Sequence, residues 1–277
     1  MKKLKELKNS HVIWFCILVL LLERVLIKIP ISIFDYFEIF SGHTNCDYLF
    51  SELIVLAVAL ILISLTGQMH TLRWSGKGFA KSLVSGLIFF ALAVLGCIVF
   101  VDEGIAQGVA YKPLPEIIAF VAFVLTVGLA EEFLCRGIIA DSILERYGTS
   151  KSGVIVSVVL SACLFGMSHI VNVFYGQSLE ETIIQMIATS MMGTLLSAIY
   201  IKHKSVYGVA FLHALLNFMT MFMEGFWAGN TLQYVQQEIN FWASLKQSLI
   251  SQSVFVFAAI VVLRPSALRK IIKEQGE

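Results

Sequence analysis

The chain has 277 residues, of which 58% are apolar and 14% charged, and its formal net charge is +1. So few charges cannot cover a soluble domain of this length, and near-neutrality argues against nucleic acid as a partner. Lipid offers unpaired backbone groups no water to bond, so the composition predicts an all-α, polytopic membrane bundle.

Hydrophobic runs of the roughly 20 residues needed to cross a bilayer fall near 11–30, 48–66, 82–101, 115–136, 155–175, 181–201, 205–223 and 246–264. They predict about eight transmembrane helices in one membrane domain spanning 1–277. The leading MKKLKELKNS reads as the basic start of an uncleaved first helix, because no small-residue cleavage site follows it. Pro30, Pro113, Pro115 and Pro265 are expected at or just outside span ends, where a missing N–H costs little. With the N-terminus inside, 16 of the 20 Lys and Arg residues fall in cytoplasmic segments; Lys28, Lys112 and Lys246 fall outside, and Arg24 lies within the first span. The outer segments carry acids instead, among them Glu38, Asp102, Glu103, Glu180 and Glu238. The positive-inside bias therefore predicts both termini to be cytoplasmic.

Most isolated polar residues read as structural. Glu23-Arg24 in the first span is expected to be a self-screening pair facing the bundle or a water-filled cleft, and Glu52 a helix-start residue. His11, His43, His70 and His203 sit in loops or at helix ends with no partner at helical spacing. Trp14, Trp74, Trp227 and Trp242 fall where an interfacial aromatic belt would place them. The five cysteines form no CxxC or zinc-finger pattern and read as small buried hydrophobes, although Cys135 lies inside a polar motif.

Three polar clusters inside apolar segments read differently: Glu131-Glu132-Phe133-Leu134-Cys135-Arg136, Phe165-Gly166-Met167-Ser168-His169 and His213-Ala214-Leu215-Leu216-Asn217. An ionisable residue at the bilayer centre costs about 2.5–3.5 kcal/mol on insertion scales, so such groups are functional candidates. Residues four apart share a helix face, which pairs Glu132 with Arg136, Phe165 with His169 and His213 with Asn217. Glu132 and Arg136 read as an interfacial ion pair at the cytoplasmic end of span four. Glu131 points about 100° away and has no cation four residues off, which suits a general base. Glutamate and histidine on a water, with histidine and asparagine facing a carbonyl oxygen, form a complete set for amide hydrolysis without a covalent nucleophile. For the three clusters to meet in depth, 137–154 is expected to form a cytoplasmic helical hairpin, so that span five enters the bilayer late and its middle lies near His169.

EExxxR, FxxxH and HxxxN, in that order on neighbouring helices, resemble the CAAX prenyl protease and bacteriocin-processing (CPBP, Abi) family of intramembrane endopeptidases. The surrounding residues agree: Arg136 is followed by Gly137, and Val209-Ala210-Phe211-Leu212 precedes His213. The resemblance covers about 115–223. It implies that Glu131 activates water with His169 beside it, and that His213 and Asn217 are the oxyanion donors. Glu132, Arg136 and Phe165 would then support the site. Two histidines and a glutamate also have the ligand types for zinc, but no HExxH-like pair is present, so no cofactor is expected.

The expected substrate is a peptide or membrane-anchored protein, cleaved near the cytoplasmic face either at a CAAX-type site or in a leader or signalling peptide. The short loops suggest a bacterial plasma-membrane protein. The alternative is a non-catalytic immunity or sensor-regulating protein that binds other membrane proteins through its helices. A transporter relay is disfavoured, because no inverted repeat or matched Gly/Pro-broken helix is visible.

Overall fold

The computed structural model describes residues 2–37, 44–228 and 240–276. Its helices in chain order are α1 (Lys2–Ser10), α2 (Val12–Phe37), α3 (Thr44–Thr66), α4 (Gly76–Ser85), α5 (Leu87–Ala106) and α6 (Leu114–Glu132). A π-helical stretch, Phe133–Ala140, joins α6 to α7 (Asp141–Tyr147). The chain continues through α8 (Lys151–Met167), a 3-10 stretch Ser168–Tyr175, α9 (Leu179–His203), α10 (Val206–Thr220), α11 (Phe222–Phe226), α12 (Phe241–Val262) and α13 (Pro265–Gly276). Among the described residues the only β pairing is an isolated bridge between Tyr111 and Trp227.

Among the described residues, six helices are long and apolar enough to cross a membrane: Asn45–Thr66, Leu87–Ala106, Leu114–Tyr147, Lys151–Phe174, Leu179–His203 and Phe241–Val262. The two other expected spans correspond to α2, which carries Glu23, Arg24 and Lys28, and to α10. At 15 residues α10 reaches only about 22 Å, short of the roughly 30 Å hydrocarbon thickness. The expected third span begins later than 82, because Gly86 closes α4 and α5 starts at Leu87.

Local chemistry accounts for the helix starts. Ser75, Ser150 and Ser205 each accept a backbone N–H in the first turn of α4, α8 and α10, and Asn240 does so for α12. Ser178 and Glu181 form a reciprocal capping box on α9. Pro113, Pro115 and Pro265 sit at element starts, whereas α2 runs on through Pro30, contrary to its expected place at a span end. Glu38, His43 and Glu238 lie outside the described residues.

The helix from Leu114 to Tyr147 is the axis of the molecule. α6 packs between α3 and α10, while α8 and α12 pack on α9. Ile138, Ile139, Ile143 and Leu144 on the axis are buried with Leu195, Leu196 and Ile199 of α9 and Val206, Val209 and Leu212 of α10. The backbones of α6 and α10 touch at Gly128, where a Cβ would lie 2.4 Å from the Ala210 carbonyl oxygen and 3.1 Å from the Ala214 Cβ. Small residues permit such approaches between membrane helices. Gly128→Ala is therefore expected to push α6 off α10 and destabilise the bundle by about 1–3 kcal/mol, despite the better helix propensity of alanine. A thermal melt in detergent measures this directly, with an unchanged or raised midpoint contradicting it.

The same axis helps to position His169. From Glu132 the chain runs roughly 20 Å onward to Tyr147, turns, and α8 climbs about the same distance back to Phe165. The expected hairpin therefore exists, but α8 begins at Lys151 and its α-helical part ends at Met167. His169 lies in the 3-10 stretch beyond the end of α8 rather than in the middle of an α-helical span. The α-helix gives way before His169, so the ring is set by 3-10 geometry.

Candidate active site

The three motifs converge on Phe165. Its buried ring lies under the Arg136 guanidinium at 4.7 Å and makes edge contacts with the His169 and His213 rings at 5.4 and 5.7 Å. Arg136 and Glu132 are both wholly buried, with Nη1 to Oε1 at 2.8 Å. Nη2 also donates to the Gly193 carbonyl at 3.1 Å, where the absence of a side chain lets α9 come close. The pair, expected to be structural, is enclosed by the bundle on all sides. It sits in the core, where a lone charge would be prohibitive and a paired, hydrogen-bonded one is tolerated.

His213, 3% exposed, bridges the two adjacent carboxylates. Its Nδ1 lies 3.0 Å from Glu132 Oε1, and its Nε2 lies 3.5 Å from Glu131 Oε2. A carboxylate paired with arginine accepts, so Nδ1 carries the proton. Glu131 and Glu132 are the last two residues of α6, before the π-helical stretch begins, and adjacent positions on an α-helix point about 100° apart. Glu132 consequently turns into the core while the Glu131 side chain stays 30% exposed.

Glu131 opens on a cavity of about 70 Å³ whose wall includes Cys135, Phe165, Glu23, Arg24 and Glu52. Glu23 and Arg24 of α2 form the expected pair, Nε to Oε2 at 3.0 Å, with Glu23 2% exposed. Glu52 departs from its reading as a helix-start residue. α3 begins at Thr44, so Glu52 lies in its third turn and faces the cavity. The signal was available: a carboxylate in a hydrophobic run, the criterion that singled out Glu131.

His169 makes no hydrogen bond to Glu131 among the described residues. Its Nδ1 lies 3.2 Å from the Phe165 carbonyl, and since a carbonyl only accepts, the neutral ring leaves Nε2 as an acceptor. Asn217 lies one turn after His213 on α10, half-buried, with its side-chain amide unbonded among the described residues. Together these groups offer one partly exposed carboxylate, the imidazoles of His169 and His213, and the donor amide of Asn217 on neighbouring elements.

Elsewhere the structure supplies partners that spacing did not suggest. His70 Nε2 lies 2.9 Å from Asp141 Oδ2, and Tyr200 and Lys204 reach the other oxygen of Asp141. Asp141 raises the pKa of the His70 imidazole above its ordinary value. His203 Nε2 lies 2.8 Å from Ser85 Oγ. Of the cysteines, Cys16 and Cys135 are buried as expected, but Cys163 is exposed, facing away from the neighbouring helices. Trp227 is also buried and stacks on Tyr111 rather than joining an interfacial belt.

Among the described residues, the group of three potential ligands close enough to hold a metal ion is His70, Asp141 and Glu145, which lies outside this cavity.

Residues 113–219 match the family model described as type II CAAX prenyl endopeptidase, Rce1-like. That segment holds all three motifs, and the resemblance to the CAAX prenyl protease family stands on it. No curated protein matches the chain. Six long apolar helices among the described residues, with the match of 113–219 to a membrane-protease family model, support a multi-pass membrane protein.

Proposed function

We propose that the chain, with its Rce1-like segment 113–219, is an intramembrane endopeptidase that hydrolyses a peptide bond near the cytoplasmic face. In this reading eight segments cross the plasma membrane, α10 doing so together with α11, both termini are cytoplasmic, and the core is 115–223. The observation that carries the reading is His213 held between two adjacent carboxylates, one sealed in the core and one open to a cavity.

Glu131 takes a proton from water while His169, through Nε2, aligns it. The water oxygen bonds to the peptide carbonyl carbon, and the developing oxyanion is met by the Asn217 amide and by the His213 ring beside it. As the C–N bond breaks, Glu131 returns the proton to the leaving nitrogen. Glu132 holds His213 by Nδ1, Arg136 holds Glu132, and Phe165 packs beneath both histidines. No metal is required. The ligand atoms of Glu131, His169 and His213 do not gather closely enough to share an ion, which supports a glutamate mechanism over zinc. The substrate is a CAAX-type site or a leader or signalling peptide.

Purified protein in liposomes, given a fluorogenic lipidated peptide library with and without a strong chelator, tests the reading. Cleavage should survive chelation and fall about 10²-fold in His213→Ala. Loss on chelation would indicate zinc instead, and full cellular function from a hydrolytically silent His213→Ala would favour a non-catalytic membrane partner.

A further inference from the structure

Four carboxylates belong to this cavity or the wall behind it, and three have a basic partner. Glu23 has Arg24 at 3.0 Å, Glu131 has His213 at 3.5 Å, and Glu132 has Arg136 and His213 at 2.8 and 3.0 Å. Glu52 makes no hydrogen bond or ion pair among the described residues, although it lines the cavity beside Glu131. The negative fields of Glu131 and Glu23 both reach it, offset in part by Arg24, whose guanidinium Glu23 already holds. A carboxylate inside a membrane bundle without its own counter-charge is costly to ionise, and an incoming cation would supply the missing partner.

The shape and lining of the space say which cation. About 70 Å³ has room for a few water molecules, which suits one compact head group. Leu20, Val55 and Leu134 line the same cavity and would cover a methylene stem, while Glu52 would meet the charge at its tip. A metal ion is less well served, because the cavity carboxylates do not bring three ligand atoms within reach of one another. A lysine side chain, a compact ammonium on a flexible apolar stem, matches both features.

We propose that the cavity selects peptides with a lysine beside the scissile bond, and that Glu52 is the residue that recognises the ammonium group. The inference rests on the endopeptidase reading and adds the substrate class to it. Glu52 lies on α3, outside the segment 113–219 matched by the family model.

The test uses the full chain in liposomes and fluorogenic peptides identical except for lysine or norleucine at each position flanking the bond. Norleucine keeps the stem and removes the charge. At one position wild type should favour lysine about tenfold in kcat/KM, mainly through KM, as a charge-assisted hydrogen bond predicts. In Glu52→Gln that ratio should fall towards one, and Glu52→Asp, which keeps the charge but shortens the reach, should retain part of it. Equal use of lysine and norleucine by wild type at every position would overturn the inference while leaving the endopeptidase reading intact, as would an undiminished ratio in Glu52→Gln. Absence of any Glu131-dependent cleavage would overturn the endopeptidase reading, and the lysine preference with it. If Glu52→Gln does not fold, the wild-type ratio and Glu52→Asp still decide the matter.

Discussion

Glu131→Gln is expected to lower peptide hydrolysis at least about 10²-fold while leaving the melting temperature of the purified protein nearly unchanged. Glutamine has the size of glutamate and its amide still reaches His213, but it cannot take a proton from water. The side chain is 30% exposed to the cavity, so no buried charge is orphaned when it becomes neutral. The informative control is its neighbour. Glu132→Gln removes the acceptor that holds both Arg136 and the Nδ1 proton of His213, and leaves a wholly buried guanidinium without its counter-charge. That variant should lose stability first and activity as a consequence. Two adjacent, chemically identical residues are thus expected to fail in different ways. Equal loss of stability in both variants would contradict the assignment of base and support, and so would full activity in Glu131→Gln.

Arg136→Ala should be the most destabilising single change in the site. Breaking a buried ion pair by removing one partner costs about 3–5 kcal/mol, because the remaining charge has no water to turn to. Here the loss is wider than one bond: Glu132 loses its 2.8 Å partner, the Gly193 carbonyl loses its donor, and the Phe165 ring loses the cation stacked above it. Glu132 would then be tied only to His213, whose position between the two carboxylates is what the site depends on. Arg136→Lys should not rescue, since an ammonium cannot bond Glu132 and Gly193 through a planar fork while also stacking on Phe165. Size-exclusion profiles and thermal melts in detergent would show this. A melting temperature within a few degrees of wild type for either variant would mean that the buried pair contributes little. Arg136→Met offers a further arm: with Glu132→Leu in the same chain, a hydrophobic replacement of the whole pair should recover stability without recovering hydrolysis.

Both predictions involve residues whose importance could be read from the chain, but only part of their roles could. Wherever a relation depends on the helical repeat, the sequence alone determined it. Backbone groups in lipid have to bond within their own segment, so hydrophobic runs become helices, and six of the runs do so at spanning length. Residues four apart still meet where the α-helix passes into π or 3-10 turns: Glu132 and Arg136 bond at 2.8 Å, and the rings of Phe165 and His169 lie 5.4 Å apart. Tertiary packing decided everything that joins one helix to another. His213 reaches Glu132 across 81 residues of chain and His70 reaches Asp141 across 71, separations at which no periodicity carries information. Glu52 faces the cavity because α3 packs along α6, and His169 comes level with Glu131 because the axis helix overshoots and α8 climbs back. The helical repeat sets which face a side chain occupies, whereas the depth, tilt and rotation of whole helices, set by their packing, determine what that face meets.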